Sequence, residues 1–300
     1  MHEVVYHLKS AKQLVKTKTE SSLPLKAGEL FAETVYSAVS TGTELAAWRG
    51  LEPLRPTQNV YPRLVGYCNI ACVKRVGSDV NGIDIGDYIL THQSHRSAFT
   101  CNQKEVIYKT TNTNSDFLKK ITASYLYHLG YMALKKAHFQ PGHTVAVIGM
   151  GVLGVTTATL AKAFASNPCC FTSQSIEIFT SMFQLSNVYS KDGVGYKPMM
   201  DSMNLDGFDI VINTSNYWDD HLLSMKIARK GGVIVNLGFP GRGCATPNFN
   251  PLDSQYYYDK QLSIMHCGHV FEEDSSAIDI RFNLKRNIHY LVDLIERDLI

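Results

Sequence analysis

The sequence predicts an α/β protein in which a β-rich N-terminal part is followed by a doubly wound parallel sheet. Three observations carry this prediction. Short β-type runs separated by turn residues fill roughly the first 110 positions, strand and helix patterns alternate after Pro141, and a glycine-rich loop joins a buried strand to a helix at Gly149. The chain has 300 residues, which is enough for two domains.

The N-terminal part has the residue types of strands. Its apolar runs are rich in Val, Ile, Tyr and Phe, and turn sequences such as Asn81-Gly82 and Gly86-Asp87 separate them. Because no helix pattern lies between the runs, they predict a barrel or a sandwich. The predicted strands are Glu3–Leu8, Leu30–Ser37, Asn69–Val76, Asp87–Thr91 and Lys104–Tyr108.

The second part begins with a helix that Ser115 or Asp116 caps and that ends before Pro141. Strand and helix patterns then alternate, which is typical of a parallel sheet covered on both faces. The predicted strands are Thr144–Ile148, Cys169–Thr172, Phe208–Asn213 and Val233–Leu237. The predicted helices are Val152–Ala165, Ile176–Leu185, Trp218–Ala228 and a last one with the apolar stripe Ile288, Leu291, Val292, Ile295 and Leu299.

Composition and charge restrict the class of protein. Lys and Arg number 29 against 27 Asp and Glu, and so small a positive excess gives no reason to expect a nucleic-acid or anionic-membrane partner. The N-terminal segment lacks the apolar core of a secretion signal and no stretch suits a membrane span, so we expect a cytoplasmic protein. The seven cysteines are odd in number and lack CxxC spacing, which favours reduced thiols.

The glycine-rich loop is the most informative motif. The run Val145–Ile148 leads into Gly149-Met150-Gly151-Val152-Leu153-Gly154, and a helix pattern of small residues follows. In this pattern Gly149 allows the tight turn, Gly151 lets the backbone approach a pyrophosphate, and Gly154 lets the helix lie close to the sheet. The N–H groups of Val152 and Leu153, at the helix start, then offer hydrogen bonds to the phosphates. The loop predicts a dinucleotide site, and the alternative is a glycine turn in a sheet without a ligand.

The residue after the next strand reads the adenosine ribose in such sites, and an NAD site typically has Asp or Glu there. Here Ser173 stands nineteen residues after Gly154, and the first acid is Glu177, inside the predicted helix. Without a carboxylate a 2′-phosphate is not repelled, although no Arg or Lys stands beside Ser173 in the sequence. The pattern favours NADP over NAD and leaves both open.

Three further motifs occur in a fixed order. A G-x-x-V-x-x-x-x-x-G-D hairpin pattern lies within Val76–Tyr88, Pro141–Val145 precedes the glycine loop, and Lys230–Ile234 precedes a turn at Gly238. In this order and spacing they resemble the medium-chain dehydrogenase/reductases, over nearly the whole chain. The resemblance implies a GroES-like barrel (1–115), a Rossmann domain (116–268) and a helical segment that returns to the barrel (269–300).

The segment Ser40-Thr41-Gly42-Thr43-Glu44 narrows the resemblance to an S-T-G-T-E subgroup that includes bacteriochlorophyllide dehydrogenase-like proteins. Where the zinc enzymes of the family have a cysteine ligand and G-H-E, this chain has Ser40 and Gly66-Tyr67-Cys68. A catalytic zinc needs three protein ligands, and only Cys68 is a good ligand in the expected place. We therefore expect no catalytic zinc. The pairs His92/His95 and His266/His269 are more typical of polar loops or satisfied core groups than of ligands.

Without zinc, hydrogen-bond donors or a proton relay must stabilise the oxygen on which charge develops. The resemblance projects two segments toward the nicotinamide, the first with Ser40, Thr43 and Glu44 and the second with Tyr67 and Cys68. Tyr67 is the first candidate for the proton donor, and the alternative is that it packs as an aromatic plug. His95 is a second candidate, as a proton relay, and the alternative is a histidine in a surface loop.

The ends of two further strands complete the expected cofactor site. Carboxyl ends of parallel strands form ligand crevices, and the resemblance implies that Thr214 and Ser215, together with Gly238 and Phe239, flank the nicotinamide ribose and ring. The strand predicted at Gln261–Cys267 is a candidate edge for a homodimer, since relatives commonly pair their Rossmann sheets, although burial within one chain explains it equally well.

Together the motifs predict an NAD(P)-dependent, zinc-independent oxidoreductase. It transfers hydride to or from an alcohol or ketone on a fairly large polar small-molecule substrate, by analogy with the S-T-G-T-E subgroup. Two alternatives stay open. One is a quinone or enone reductase of the same superfamily, and the other is an NADP-binding sensor or structural relative without turnover.

Overall fold

The structure is a computed structural model that describes residues 2–20, 24–54, 58–191, 195–202, 206–268 and 283–300. The chain divides into two compact units. Unit 1 comprises the described residues up to Tyr125 together with those of the C-terminal stretch to Leu299, and unit 2 comprises the described residues from Leu126 onward to 268.

Strands and helices account for most of the described residues. The strands are β1 (His2–Ser10), β2 (Gln13–Glu20), β3 (Glu29–Ser37), β4 (Arg63–Leu64), β5 (Asn69–Val76), β6 (Tyr88–Thr91), β7 (Ala98–Asn102), β8 (Tyr108–Thr110), β9 (Val145–Ile148), β10 (Cys169–Thr172), β11 (Asn187–Ser190), β12 (Phe208–Asn213), β13 (Ala228–Asn236) and β14 (Ser263–His266). The helices are α1 (Thr41–Arg49), α2 (Ser115–Thr122), α3 (Ser124–Lys136), α4 (Val152–Ala163), α5 (Ile176–Met182), α6 (Lys197–Ser202), α7 (Trp218–Ile227) and α8 (Leu284–Glu296).

Unit 1 is built on two antiparallel sheets. One has the strand order β2-β1-β4, and the other has the order β7-β3-β5-β6-β8. The second sheet encloses a core of side chains that are at most 9% exposed, among them Leu30, Val73, Ile89 and Phe99. These side chains come from alternate positions of neighbouring strands, because successive residues of a strand point to opposite faces.

Two predictions for this unit are wrong in detail. Lys104–Tyr108 does not form a strand, because a 3-10 turn occupies Gln103–Glu105 between β7 and β8. Asn102 starts that turn: its side chain accepts from the Lys104 N–H, and the Glu105 side chain accepts from the Asn102 N–H. Similarly, the helix that follows β8 is capped by neither Ser115 nor Asp116, because the Asn114 side chain accepts from the N–H groups of Asp116 and Phe117.

Unit 2 contains one parallel sheet of six strands in the order β11-β10-β9-β12-β13-β14. This is the order of a doubly wound dinucleotide-binding fold, with the reversal of direction between β10 and β12 at the first strand, β9. The predicted α/β class, an antiparallel barrel-type part plus a doubly wound parallel sheet, is therefore confirmed. Strands β9 and β10 are buried along their whole length, as expected for a sheet covered on both faces.

Two whole-chain features bear on the expected environment. All seven cysteines lie in the described part of the chain, and each is a free thiol. Among the described residues, no helix combines the length and the apolar composition that a membrane crossing requires.

Candidate functional site

The glycine loop lies at the carboxyl end of β9, and two of its glycines are required by the fold itself. Gly149 has a φ of +86°, and a Cβ there would lie 2.9 Å from the Thr214 Oγ1. A Cβ on Gly154 would lie 1.9 Å from the backbone oxygen of Gly149, so α4 can approach the turn only without a side chain. The N–H of Gly149 donates to the Phe171 oxygen at 2.9 Å, which ties the turn to β10.

Gly151 differs from these two glycines. Its φ is −76°, which any residue adopts, and a Cβ on it would meet no atom of the described chain within 4 Å. Gly151 is also exposed and precedes α4 without a side-chain cap for the N–H groups of Val152 and Leu153. Helix-starting N–H groups have no partner within their helix, so they need an outside acceptor. The loop therefore fits the pyrophosphate of a dinucleotide, which requires both close backbone approach and these donors.

The two loops predicted beside the nicotinamide lie against the glycine turn. Thr214 follows β12; its N–H donates to the Ile148 oxygen at 2.9 Å, and its hydroxyl donates to the Gly149 oxygen at 2.6 Å. Gly238 follows β13, and a Cβ there would lie 2.5 Å from the Ser215 oxygen. The structure thus brings the ends of β9, β12 and β13 together. Phe239 is 43% exposed beside them.

A buried polar row supports these loops, and the sequence analysis missed it. Asn213 and Asn236 are opposite each other at the ends of β12 and β13, and the Asn213 Nδ2 donates to the Asn236 Oδ1 at 3.1 Å. The Asn213 Oδ1 accepts from the Ser215 N–H at 3.0 Å. His221 hydrogen-bonds Asn236, and burial lowers the pKa of its imidazole, so that it is neutral near pH 7. The sequence could have indicated this row, because Asn213 and Asn236 both stand at the ends of predicted strands.

A second feature that the sequence analysis missed lies at the carboxyl end of β10. Ser173 follows β10 and is exposed, as its predicted role requires. Thr172 is opposite Ser190 on β11, and the N–H of the next residue, Lys191, donates to the Thr172 oxygen at 3.0 Å. The parallel pairing of β10 and β11 therefore brings the backbone of a lysine to the end of β10, and the Lys191 side chain binds Asp220. That pairing is a long-range feature that local sequence does not reveal.

Unit 1 collects the four predicted catalytic residues into one group. Ser40, 5% exposed, immediately precedes α1, whose first turn carries Thr43. Burial raises the pKa of the Tyr67 phenol above its ordinary value, and hydrogen bonds to the Ser40 and Thr43 side chains act in the opposite direction. The net effect is a phenol that keeps its proton at neutral pH.

His95 joins this group through Glu44. Its Nε2 lies 2.7 Å from the Glu44 Oε2, and the Glu44 Oε1 accepts from the Ser40 N–H at 2.7 Å. Its Nδ1 lies 2.6 Å from the Ser37 Oγ. Gly66 makes room for the ring, because a Cβ there would lie 2.6 Å from the His95 Nδ1. We call Ser37, Ser40, Thr43, Glu44, Tyr67 and His95 the polar cluster of unit 1.

The donor set at the positions of the expected zinc ligands does not suit zinc. Only Cys68 among them is a good zinc ligand, and it is 1% exposed, whereas Ser40 and Tyr67 offer hydroxyl groups that hydrogen-bond each other. Burial, together with the Glu44 carboxylate, raises the pKa of the Cys68 thiol to about 12. The His92 Nδ1 lies 3.1 Å from the backbone oxygen of Tyr67. In the described residues no three His, Cys, Asp or Glu side chains form a group that could hold a metal. Of the second histidine pair, His266 is exposed, and His269 lies outside the described residues.

Comparisons with known proteins address the architecture. No protein-family model matches this sequence, and a comparison with curated proteins finds no match. Solved structures do match. A protein described as a zinc-binding dehydrogenase from Sinorhizobium meliloti 1021, bound to NADP, has a TM-score of 0.75 at 16% identity, over 100% of this chain and 90% of its own.

Two further structures have similar scores. Galactitol-1-phosphate dehydrogenase from Escherichia coli has a TM-score of 0.76 at 13% identity, over 99% of this chain and 90% of its own. A short chain alcohol dehydrogenase from E. coli CFT073, complexed with NADH, has a TM-score of 0.74 at 14% identity, over 100% of this chain and 89% of its own. At these identities the likeness establishes the fold alone: this chain combines a GroES-like antiparallel part with a Rossmann sheet, as those structures do.

Proposed function

We propose that this protein is an NAD(P)-dependent oxidoreductase of the medium-chain dehydrogenase/reductase type. The observation that carries the proposal is Gly151, whose lack of a side chain nothing in the described chain requires and a bound pyrophosphate does. The neighbouring structures with NADP and NADH support the same cofactor class. Gly149, Gly154, Val152 and Leu153 then shape and line the phosphate site.

The bound dinucleotide would supply or accept a hydride, and the protein must provide the proton that accompanies it. Tyr67 is the proposed proton donor to the substrate oxygen, because its raised pKa keeps the phenol protonated and its hydrogen bonds to Ser40 and Thr43 fix its orientation. Glu44 holds the start of α1 through the Ser40 N–H and binds His95 on its other oxygen. His95 therefore acts through Glu44, as a positioning residue.

We propose that the reaction proceeds without zinc. The support is the chemistry of the donors: Cys68 is the one good zinc ligand at the expected positions, and Ser40 and Tyr67 offer hydroxyl groups that hydrogen-bond each other. Hydrogen-bond donation by the phenol replaces a Lewis acid at the developing oxyanion. The substrate is proposed to be an alcohol or ketone on a fairly large polar molecule, and a homodimer through the β14 edge stays a proposal.

Packing around Tyr67 favours a second candidate, a nucleotide-binding protein without turnover. The Tyr67 ring contacts the Tyr125 ring edge-on at 5.6 Å, and Tyr125 contacts the His92 ring at 4.6 Å. In this reading the phenol fills space and donates no proton. A quinone or enone reductase is the nearest enzymatic alternative.

Turnover assays separate the three. Oxidation of NADPH and of NADH is followed with a ketone panel, a quinone panel and an enone panel. Turnover of ketones supports the proposal, and turnover of quinones or enones alone supports the reductase. Cofactor binding without hydride transfer to any panel supports the non-catalytic protein.

A further inference from the structure

A cleft in unit 2 lies at the opposite edge of the parallel sheet from the glycine loop. Its volume is about 690 Å³, which is within the range of pockets that hold small molecules. Lys230 lies near the start of β13, and Leu262 immediately precedes β14, so the cleft is at the amino ends of these two strands. The residues that line it are Lys230, Tyr257, Tyr258, Asp259, Gln261 and Leu262.

The two walls of the cleft are tied together by one lysine. Lys260 follows Asp259, and its backbone oxygen accepts from the Gly231 N–H at 2.6 Å, next to Lys230. The Lys260 ammonium donates to three backbone oxygens around the end of α7 at 2.7 to 3.0 Å, those of Met225, Lys226 and Ala228. Because an ammonium has three N–H groups, these contacts use all of them, and Lys260 holds the walls of the cleft in place.

A series of turns fixes the wall that carries the tyrosines. The Gln261 N–H donates to the Tyr258 oxygen at 3.0 Å, and the Leu262 N–H donates to the Tyr257 oxygen at 3.2 Å. Gln261 has a φ of +53°, a conformation that a residue with a side chain adopts only where its surroundings impose it. The backbone from Tyr257 to Leu262 is therefore preorganised, and the cleft does not have to form when a ligand binds.

The side chains of the cleft combine aromatic rings with both signs of charge. Tyr257 and Tyr258 are 41% and 77% exposed, and the face of an exposed ring can stack on a planar group. Lys230 and Asp259 line the same cleft, but neither forms an ion pair with the other or with any other residue that the structure describes. Opposite charges that share a cleft without meeting fit a ligand that carries both.

We propose that this cleft binds a small aromatic zwitterion, of which an α-amino acid with an aromatic side chain is the simplest. The ligand carboxylate accepts from the Lys230 ammonium, the ligand ammonium donates to the Asp259 carboxylate, and the ring stacks on the tyrosines. An aromatic anion would meet the Asp259 carboxylate unpaired, and an aromatic cation would meet the Lys230 ammonium unpaired. This inference concerns unit 2 alone and does not depend on the proposed function.

Calorimetric titration of the full chain with L-phenylalanine tests the assignment. We expect saturable binding with a dissociation constant of roughly 1 mM or lower. Three probes that each lack one group should bind at least about tenfold more weakly. Phenylacetate lacks the ammonium that Asp259 would accept from, phenethylamine lacks the carboxylate that Lys230 would donate to, and L-leucine lacks the ring.

Variants show whether the binding occurs in this cleft. Lys230→Met and Asp259→Asn are each expected to weaken L-phenylalanine binding about tenfold, and Tyr258→Ala about threefold. Lys230→Arg retains the charge and should retain the binding. Lys226→Met is the control, because Lys226 is exposed on α7 and its side chain does not line the cleft. All of these side chains are exposed, so each variant should keep its melting temperature within about 2 °C of wild type.

Three results would overturn the inference. The first is the absence of binding heat with L-phenylalanine up to tens of millimolar, including the case in which sedimentation shows a dimer and a second copy covers this face. The second is binding that Lys230→Met and Asp259→Asn leave unchanged. The third is equal affinity for phenylacetate, phenethylamine and L-phenylalanine. None of these results affects the proposed function, because NADPH binding is measured separately on the same variants and should equal that of wild type.

Discussion

The glycine loop of unit 2 and the polar cluster of unit 1 are built in different ways. The loop depends on backbone: a left-handed turn at Gly149 and a helix that passes within contact distance of it at Gly154. The cluster depends on side chains from three separate segments, joined through Glu44 to Ser40 and His95. A site that is built from backbone can therefore be predicted from local sequence, whereas a network of side chains depends on the tertiary fold.

The largest effect is expected where the backbone leaves no room. Gly154→Ala places a Cβ 1.9 Å from the Gly149 oxygen, so α4 must move away from β9. We expect the free energy of unfolding to fall by about 3 kcal/mol or more, measured by urea denaturation. Gly151→Ala is the matched control and should change it by less than about 0.5 kcal/mol. Equal losses in the two variants would contradict the difference drawn between these glycines.

The polar cluster is tested by removing one hydroxyl. Tyr67→Phe keeps the ring and deletes the proposed proton donor, so kcat on a ketone substrate should fall about a hundredfold or more, while cofactor affinity is unchanged. Tyr36→Phe is the control, because the Tyr36 hydroxyl also lies near a serine hydroxyl, that of Ser115, at 2.7 Å, elsewhere in unit 1. If Tyr67→Phe keeps most of the wild-type rate, the phenol is a packing residue.

A substitution at Gly151, on the open side of the glycine loop, should affect cofactor binding without affecting stability. Gly151→Val introduces a side chain into space that the described protein leaves empty. We expect the melting temperature to stay within about 2 °C of wild type and cofactor dissociation constants to rise roughly thirtyfold, because the pyrophosphate can no longer approach the backbone. Gly42→Val, which also enters open space, is the control for stability and should leave the melting temperature unchanged. Unimpaired binding by Gly151→Val would remove the main support for the phosphate site.

The smallest effect concerns the buried polar row under the two loops. Burial lowers the pKa of His221 in the folded chain, so below an ordinary histidine pKa of about 6.5 the unfolded chain takes up a proton that the folded chain does not. Stability is therefore lost as the pH falls from about 7.5 to about 5.5. His221→Asn should lose less over this range than wild type. His138→Asn, at an exposed position with a φ of +53°, should lose as much as wild type.

The fold and the loop were predictable because periodicity, turn residues and glycine spacing are local. The start of α1 was not predictable in this way. The segment from Ser40 to Glu44 resembles a family motif, but the helix α1 depends on the packing of Ala46 and Ala47 against Leu8. The position of Lys191 depends on which strand pairs with β10, and β11 is only four residues long. The contact between Glu44 and His95 joins residues 51 positions apart, and no pattern of either segment specifies it.

Calorimetric titration of the wild-type chain with NADPH and with NADH tests the central claim most directly, because the helix start at Val152 must bind a pyrophosphate for the rest to hold. We predict saturable heats that fit one cofactor per chain, with NADPH bound more tightly than NADH. The absence of binding heat for both cofactors, with fluorescence that also stays constant up to millimolar concentrations, would contradict the account.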